Sequence, residues 1–156
     1  MTPTRRQMLF AALGVAALGG SVLAADDAAA QGFYADRGVA IRGTDPVAYF
    51  TEGRPVQGSR AHALDWMGVR WHFASAANRD AFAADPAAYA PQFGGYCAWA
   101  VSENYTASID PAAWRIVDGK LYLNYSRGVQ RQWERDIPGR IARGAANWPA
   151  LRAKLD

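Results

Sequence analysis

One cysteine, Cys97, and two histidines, His62 and His72, are all the thiol and imidazole groups this 156-residue chain carries. A single cysteine excludes an internal disulfide and any Cys-x-x-Cys redox or zinc motif. Charge of one sign is scarce too: 17 Lys and Arg stand against 14 Asp and Glu, a formal net charge of +3. The arginines are scattered singly from Arg37 to Arg152 among acidic residues. That spacing makes no basic run or stripe, which argues against a nucleic-acid partner. Paired carboxylates suited to acid–base work are missing, since Asp80, Asp85, Glu134 and Asp136 fall at capping or solvated positions. With no Cys, His and Asp or Asn grouping brought together by spacing either, the chain is read as a non-enzyme. Long apolar runs are also lacking. The best, Leu9 to Leu23, is broken by Gly14, Gly19 and Gly20 and falls short of the roughly 20 residues a membrane-spanning helix needs. Stable membrane insertion is therefore not expected.

What is present begins with a leader. Arg5 and Arg6 supply a positive start, the weakly apolar run follows, and Val22-Leu23-Ala24 or Ala28-Ala29-Ala30 supplies a small-residue cleavage site. Paired arginines before such a segment resemble a twin-arginine signal, although Met8 and Phe10 depart from the residues often found there. Residues 1–30 are read as an export signal, and the mature protein is expected in the periplasm. Loss of Arg5 and Arg6 together with Asp26 and Asp27 leaves the net charge unchanged. An exported single cysteine has no intramolecular partner, so Cys97 is either buried, liganded or joined to another molecule.

Residues 31–38 show no periodicity and read as a linker; one domain is expected over 39–156. Val39 to Gly43 suggests a first strand, and Asp45-Pro46 a capped turn with Val47, Tyr49 and Phe50 facing inward. Alternation from His62 to Phe73 around Met67-Gly68 predicts a hairpin with Trp66 opposite Val69 and Leu64 opposite Trp71. In that register His62 faces Phe73 on the Trp-rich face, while His72 lies on the other face opposite Ala63. Ser75 caps a helix over 76–84, and Asp85-Pro86 opens a short one ending at Tyr89. Tyr96 to Val101 reads as a strand with Cys97, Trp99 and Val101 on its more apolar face. Trp114 to Tyr125 is a second hairpin around Asp118-Gly119, burying Trp114, Ile116, Leu121 and Leu123. Ser126 caps a helix to about Asp136, and further helices start at Pro138 and after Pro149. The class is α+β: a small antiparallel sheet of hairpins with short helices, following a cleaved signal.

Trp71-His72-Phe73-Ala74-Ser75, then Arg79, Phe82 and Asp85-Pro86-Ala87-Ala88-Tyr89, resembles the YHS-domain family, and Asp45-Pro46-Val47 looks like its opening Asp-Pro-Val. The resemblance covers residues 40 to 90; Gly94 to Trp148 resembles an extension carried by exported bacterial members. It implies a YHS-like domain with a C-terminal helical extension. Several members of the wider group handle transition metals through cysteines. The matching positions here are Ala48, Ala74 and Asn78, so that ligand set does not carry over.

The stretch Phe93-Gly94-Gly95-Tyr96-Cys97-Ala98-Trp99 is the principal site candidate, because adjacent glycines beside aromatics and the lone thiol allow close approach of chain or ligand. One reading makes Cys97 a soft ligand for Cu(I) or Zn²⁺, with His72 and His62 as imidazole companions. The other makes Cys97 structural and gives Tyr96 and Trp99 to a small-ligand or protein-binding pocket.

The leader generates the first test. Replacing Arg5 and Arg6 by Lys together should strand the precursor in the cytoplasm on cell fractionation; unchanged export of that variant would remove the twin-arginine reading.

Overall fold

The structure is a computed structural model that describes residues 32–155. The segment read as an export signal, 1–30, lies outside the described residues. The α+β class holds. Strands β1 (Ala35–Asp36), β2 (Val39–Ala40), β3 (Ser59–Trp66) and β4 (Val69–Phe73) form one sheet in the order β1-β2-β4-β3; β5 (Asp110–Val117) and β6 (Lys120–Asn124) form a separate ribbon. All pairings are antiparallel except the single contact of β2 with β4, at Val39 opposite Arg70. Helices α1 (Ala48–Thr51), α2 (Ala76–Ala84), α3 (Pro86–Tyr89), α4 (Ala98–Ser102), α5 (Arg127–Trp133) and α6 (Ile137–Arg152) fill the connections.

Local chemistry accounts for most boundaries. Ser75 Oγ accepts the Asn78 N–H and Ser126 Oγ the Val129 N–H, each satisfying a donor that a helix start leaves free. Pro86 occupies the first turn of α3, where its missing N–H costs nothing. Both hairpins turn on two left-handed residues, Met67-Gly68 and Asp118-Gly119, in keeping with the twist of the strands they join. Trp66 faces Val69, Leu64 faces Trp71, and Ala63 faces His72, as the alternation predicts.

Four expectations are corrected. The register of β3 breaks between Ser59, which faces Phe73, and Ala63, so His62 lies in a bulge rather than opposite Phe73. Ser59 Oγ accepts the Ala61 N–H there, a local bond that competes with the ladder. Residues 32–38 are not a linker: Phe33 packs edge-on to Trp66 and Trp71 at 5.3 and 5.6 Å, and Tyr34 N–H donates to the Gly94 carbonyl. The first strand stops at Ala40, because Ile41 and Arg42 both turn left-handed. A β-branched residue at positive φ is a rare and costly conformation. Finally, the chain after Pro138 is one helix running through Pro149 to Arg152, which tolerates Pro149 only one turn from its end.

Two apolar clusters result. The first gathers Trp71, Phe73 and Phe82 with Tyr49, Ile41, Leu121 and Leu123, all at most 1% exposed. Phe82 is ringed by Trp66, Trp71 and Phe73 at centroid distances of 5.1 to 5.5 Å, so truncating it to Ala removes packing worth about 3 to 5 kcal/mol. The second cluster joins Phe93, Ala98, Val101, Tyr122, Trp133 and Leu151, and Ile137, Ile141 and Trp148 pack on it from α6. Those α6 positions fall at helical spacing, which gives an otherwise polar helix one buried stripe. Gly94 sits where backbone crosses backbone: a Cβ there would collide with the Gly32 carbonyl.

The turn at Asp118-Gly119 gives a clean stability test, since a Cβ on Gly119 would meet nothing within 4 Å and only backbone strain is at issue. Gly119→Val should cost at least about 1 kcal/mol in denaturant melts, and Gly119→Asn much less. A Val variant as stable as wild type would show that this turn does not need its left-handed geometry.

Candidate functional site

Two polar centres organise the middle of the chain. The first is Asp45, fully buried, whose Oδ1 accepts the N–H groups of Val47 and Ala48 and whose Oδ2 accepts the Ala74 N–H and Asn78 Nδ2, both at 2.8 Å. A buried carboxylate is tolerated when its lone pairs are met, and four donors meet these. Ala48, Ala74 and Asn78 are thus gathered around one carboxylate. What they supply there is two backbone N–H groups and an amide, all donors, so the centre is built as a bracket rather than a metal cradle.

The second centre is Cys97. The strand expected over Tyr96–Val101 is instead a tight turn at Gln92–Gly95, left-handed at Phe93, Gly94 and Gly95, followed by the short helix α4. Five residues that alternate apolar with small side chains cannot distinguish a period of 2 from one of 3.6, and tertiary bonds decide. Asn124 Oδ1, at the end of β6, accepts the Trp99 N–H at 3.1 Å and so serves the first turn of α4 from a different element. The Cys97 N–H donates to the Ala107 carbonyl.

Asn124 also fixes the thiol. Cys97 Sγ accepts the Tyr125 N–H at 3.2 Å and its S–H faces Asn124 Oδ1 at 3.7 Å. Burial pushes the thiol above its ordinary pKa, while the N–H groups of Ala100, Tyr125 and Trp99 pull weakly the other way. Cys97 is 1% exposed, and in this setting it is a neutral thiol rather than a thiolate. A cavity of about 180 Å³ adjoins it, lined by Cys97, Trp99, Ala100, Tyr105, Ala107, Tyr125 and Val129. Tyr105 and Tyr125, 46% and 56% exposed, are the large hydrophobic residues left open to solvent among the described residues, and both border this cavity. Trp99 stands edge-on to Tyr105 and carries the Arg140 guanidinium 5.3 Å above its ring. Trp99 Nε1 and Asn124 Nδ2 are buried donors without a partner.

The other sequence-derived candidates lie elsewhere. Tyr96 does not line the cavity; it packs against Tyr34 and Trp148 at 5.6 and 6.1 Å, with its hydroxyl pKa raised by burial and by Tyr34. His72, 8% exposed, borders a different cavity with Arg37, Arg42 and Arg60, and its pKa is lowered by burial and by Arg60 and Arg70. His62 is half-buried in the β3 bulge. Among the described residues, no group of three or more His, Cys, Asp or Glu side chains is placed to hold a metal ion. Of the residues expected at the site, Cys97 and Trp99 are brought together. Tyr105, Ala107, Asn124, Tyr125 and Val129 join them unforeseen. The one hint was Asn124, a polar residue closing the apolar run Leu121-Tyr122-Leu123.

An α+β domain built on a Trp-bearing hairpin, a Ser-capped helix and an Asp-Pro turn is therefore the class this geometry defines. Residues 47–93 match the YHS domain family. No curated protein and no solved structure matches the chain.

The Cys97 sulfur accepts a backbone N–H, so a hydroxyl in its place has a donor at hand. Ser keeps an acceptor for the Tyr125 N–H, whereas Ala leaves it unpaired, at about 1 to 3 kcal/mol. Cys97→Ala should therefore be the more destabilising of the two in urea melts, and the wild-type thiol should resist alkylation until the protein unfolds. A Ser variant no more stable than Ala would show that these bonds contribute nothing.

Proposed function

We propose that this protein is an exported, periplasmic binding module without catalytic activity, carrying a YHS-type domain, whose cavity beside Cys97 takes a small apolar molecule about the size of one aromatic ring. The observation that carries the reading is the coincidence of Tyr105 and Tyr125, the large exposed aromatics, at the mouth of a single apolar cavity. Exposed aromatics cost solvation and recur where something docks. The size follows from the volume: about 180 Å³ is close to the roughly 150 Å³ that suffices for benzene in an apolar cavity. The thiol, neutral and hydrogen-bonded, then acts as wall rather than as ligand or nucleophile.

Toluene titrated into protein carrying ¹³C-labelled methyl groups should shift Ala100, Ala107 and Val129 saturably, in the micromolar to millimolar range, on the order expected for so few ligand atoms. Val129→Phe should fill the cavity and abolish the shifts while the protein stays folded. Methyl signals that do not move up to the solubility limit would overturn the reading. Stoichiometric Cu(I) or Zn²⁺ uptake under reducing conditions, lost in Cys97→Ser, would instead favour Cys97 as a soft-metal ligand.

A further inference from the structure

The second cavity is polar and lies on the other side of the sheet register, where four stretches of chain converge. Its volume is about 300 Å³, and its lining includes Asp36, Arg37, Arg42, Gln57, Arg60 and His72. Arg37 comes from the left-handed turn between β1 and β2, Arg42 from the turn after β2, Arg60 from the β3 bulge and His72 from β4. Each of the three arginines is presented by an irregularity in the backbone. Six of the thirteen arginines among the described residues pair with a carboxylate within 4.0 Å, namely Arg54, Arg70, Arg79, Arg115, Arg140 and Arg143, and Arg127, Arg131, Arg135 and Arg152 do not. Among the described residues Arg37, Arg42 and Arg60 have no such partner, and the one side-chain bond of Arg42 runs from Nε to the Tyr34 hydroxyl, which leaves its terminal nitrogens unengaged. Three guanidiniums line the cavity with one carboxylate, Asp36, and Asp110 acts on Arg42 from outside it, so the cavity keeps a net positive charge with His72 neutral. His72 Nδ1 lies against Gly43, whose missing Cβ would come within 3.3 Å of it and within 2.8 Å of Gln57 Nε2.

We propose that this cavity binds a small dianionic oxoanion, a phosphate monoester or a dicarboxylate, held by Arg37, Arg42 and Arg60 with His72 as the adjustable donor. Guanidinium forks suit a pair of oxygens on either group, and a cavity of this volume admits a small molecule rather than a polymer. The arginines are exposed, so binding is weak, near millimolar, and falls with ionic strength. His72 is faced by Arg60 from β3, by Arg70 on its own strand, and by Arg37, Arg42 and Asp36 across the cavity. The arginines that disfavour its protonation are the ones an anion would neutralise. A bound anion therefore raises the His72 pKa, and by reciprocity the affinity for the dianion rises as His72 takes up its proton, offset at low pH by protonation of the dianion itself.

The chain has only two histidines, so imidazole NMR reports the site directly, with His62→Gln assigning the signals. Inorganic phosphate and malonate, each titrated against sodium chloride at matched ionic strength, should move His72 saturably and raise its pKa, leaving His62 unmoved. Saturation by phosphate alone would identify a phosphate ester, and by malonate alone a dicarboxylate. Arg60→Gln and Arg42→Gln should each weaken binding about tenfold or more, whereas Arg54→Gln, at a paired surface arginine, should not. A His72 signal that follows ionic strength alone, or equal responses from Arg60→Gln and Arg54→Gln, would overturn the proposal.

Discussion

Asp45 is the constraint on which the first half of the domain rests. Its carboxylate is fully buried and ties together the turn into α1, the end of β4 and the start of α2 through four donors. No regular ladder or helix joins these three places, so without the carboxylate the Val47 and Ala48 N–H groups would be buried and unpaired, at about 1 to 3 kcal/mol each, and the part-buried donors of Ala74 and Asn78 would lose their partner. The arrangement also accounts for the residues around it. Pro46 rigidifies the turn, Ala48 and Ala74 leave room for the backbone to reach the carboxylate, and Asn78 supplies the fourth donor from one turn inside α2. Asn124 performs the matching task in the second half, where one amide oxygen serves both α4 and the Cys97 thiol.

The two buried polar side chains divide the labour between shape and chemistry. Asp45 is saturated and has nothing left to offer a ligand. Asn124 is saturated only on its oxygen; its Nδ2 remains unpaired beside a residue, Trp99, whose own indole N–H is unpaired. Unmet donors in a well-packed domain are the exception, and Trp133 Nε1 in the second cluster is a third, so it is the apolar cavity with aromatic rims that distinguishes the Cys97 region from ordinary core. The polar cavity under His72 differs in kind, being open and charged.

Legibility from the sequence followed the range of the interactions. The helix starts at Ser75 and Ser126 and the turns at Met67-Gly68 and Asp118-Gly119 depend on a few neighbouring residues, and each was readable. The conformation of Tyr96–Val101 was not, because a bond from Asn124 on another element settles it. Nor was the bulge before Ala63, which breaks an alternation that otherwise continues cleanly, or the continuity of α6 through Pro149, which the packing of Trp148 and Leu151 supports. Around Cys97 the thiol and Trp99 could be named from composition and spacing, but Tyr105, Tyr125 and Val129 reach the cavity from three separate segments. Tyr96 pointed the wrong way for the same reason: adjacency in sequence placed it beside Cys97, while the turn at Gly94-Gly95 sends it toward Tyr34 and Trp148.

The docking of Phe33 and Tyr34 has a consequence for how the chain is made. These residues leave the ribosome early, yet their partners are Trp66, Trp71, Gly94 and Tyr96, and Tyr96 in turn leans on Trp148, eight residues before the last one. The closing contacts therefore join the two ends of the described chain, and the second cluster stays incomplete until α6 supplies Trp148 and Leu151. Contacts so far apart in sequence must wait for the intervening chain, and the early aromatics stay exposed until α6 packs.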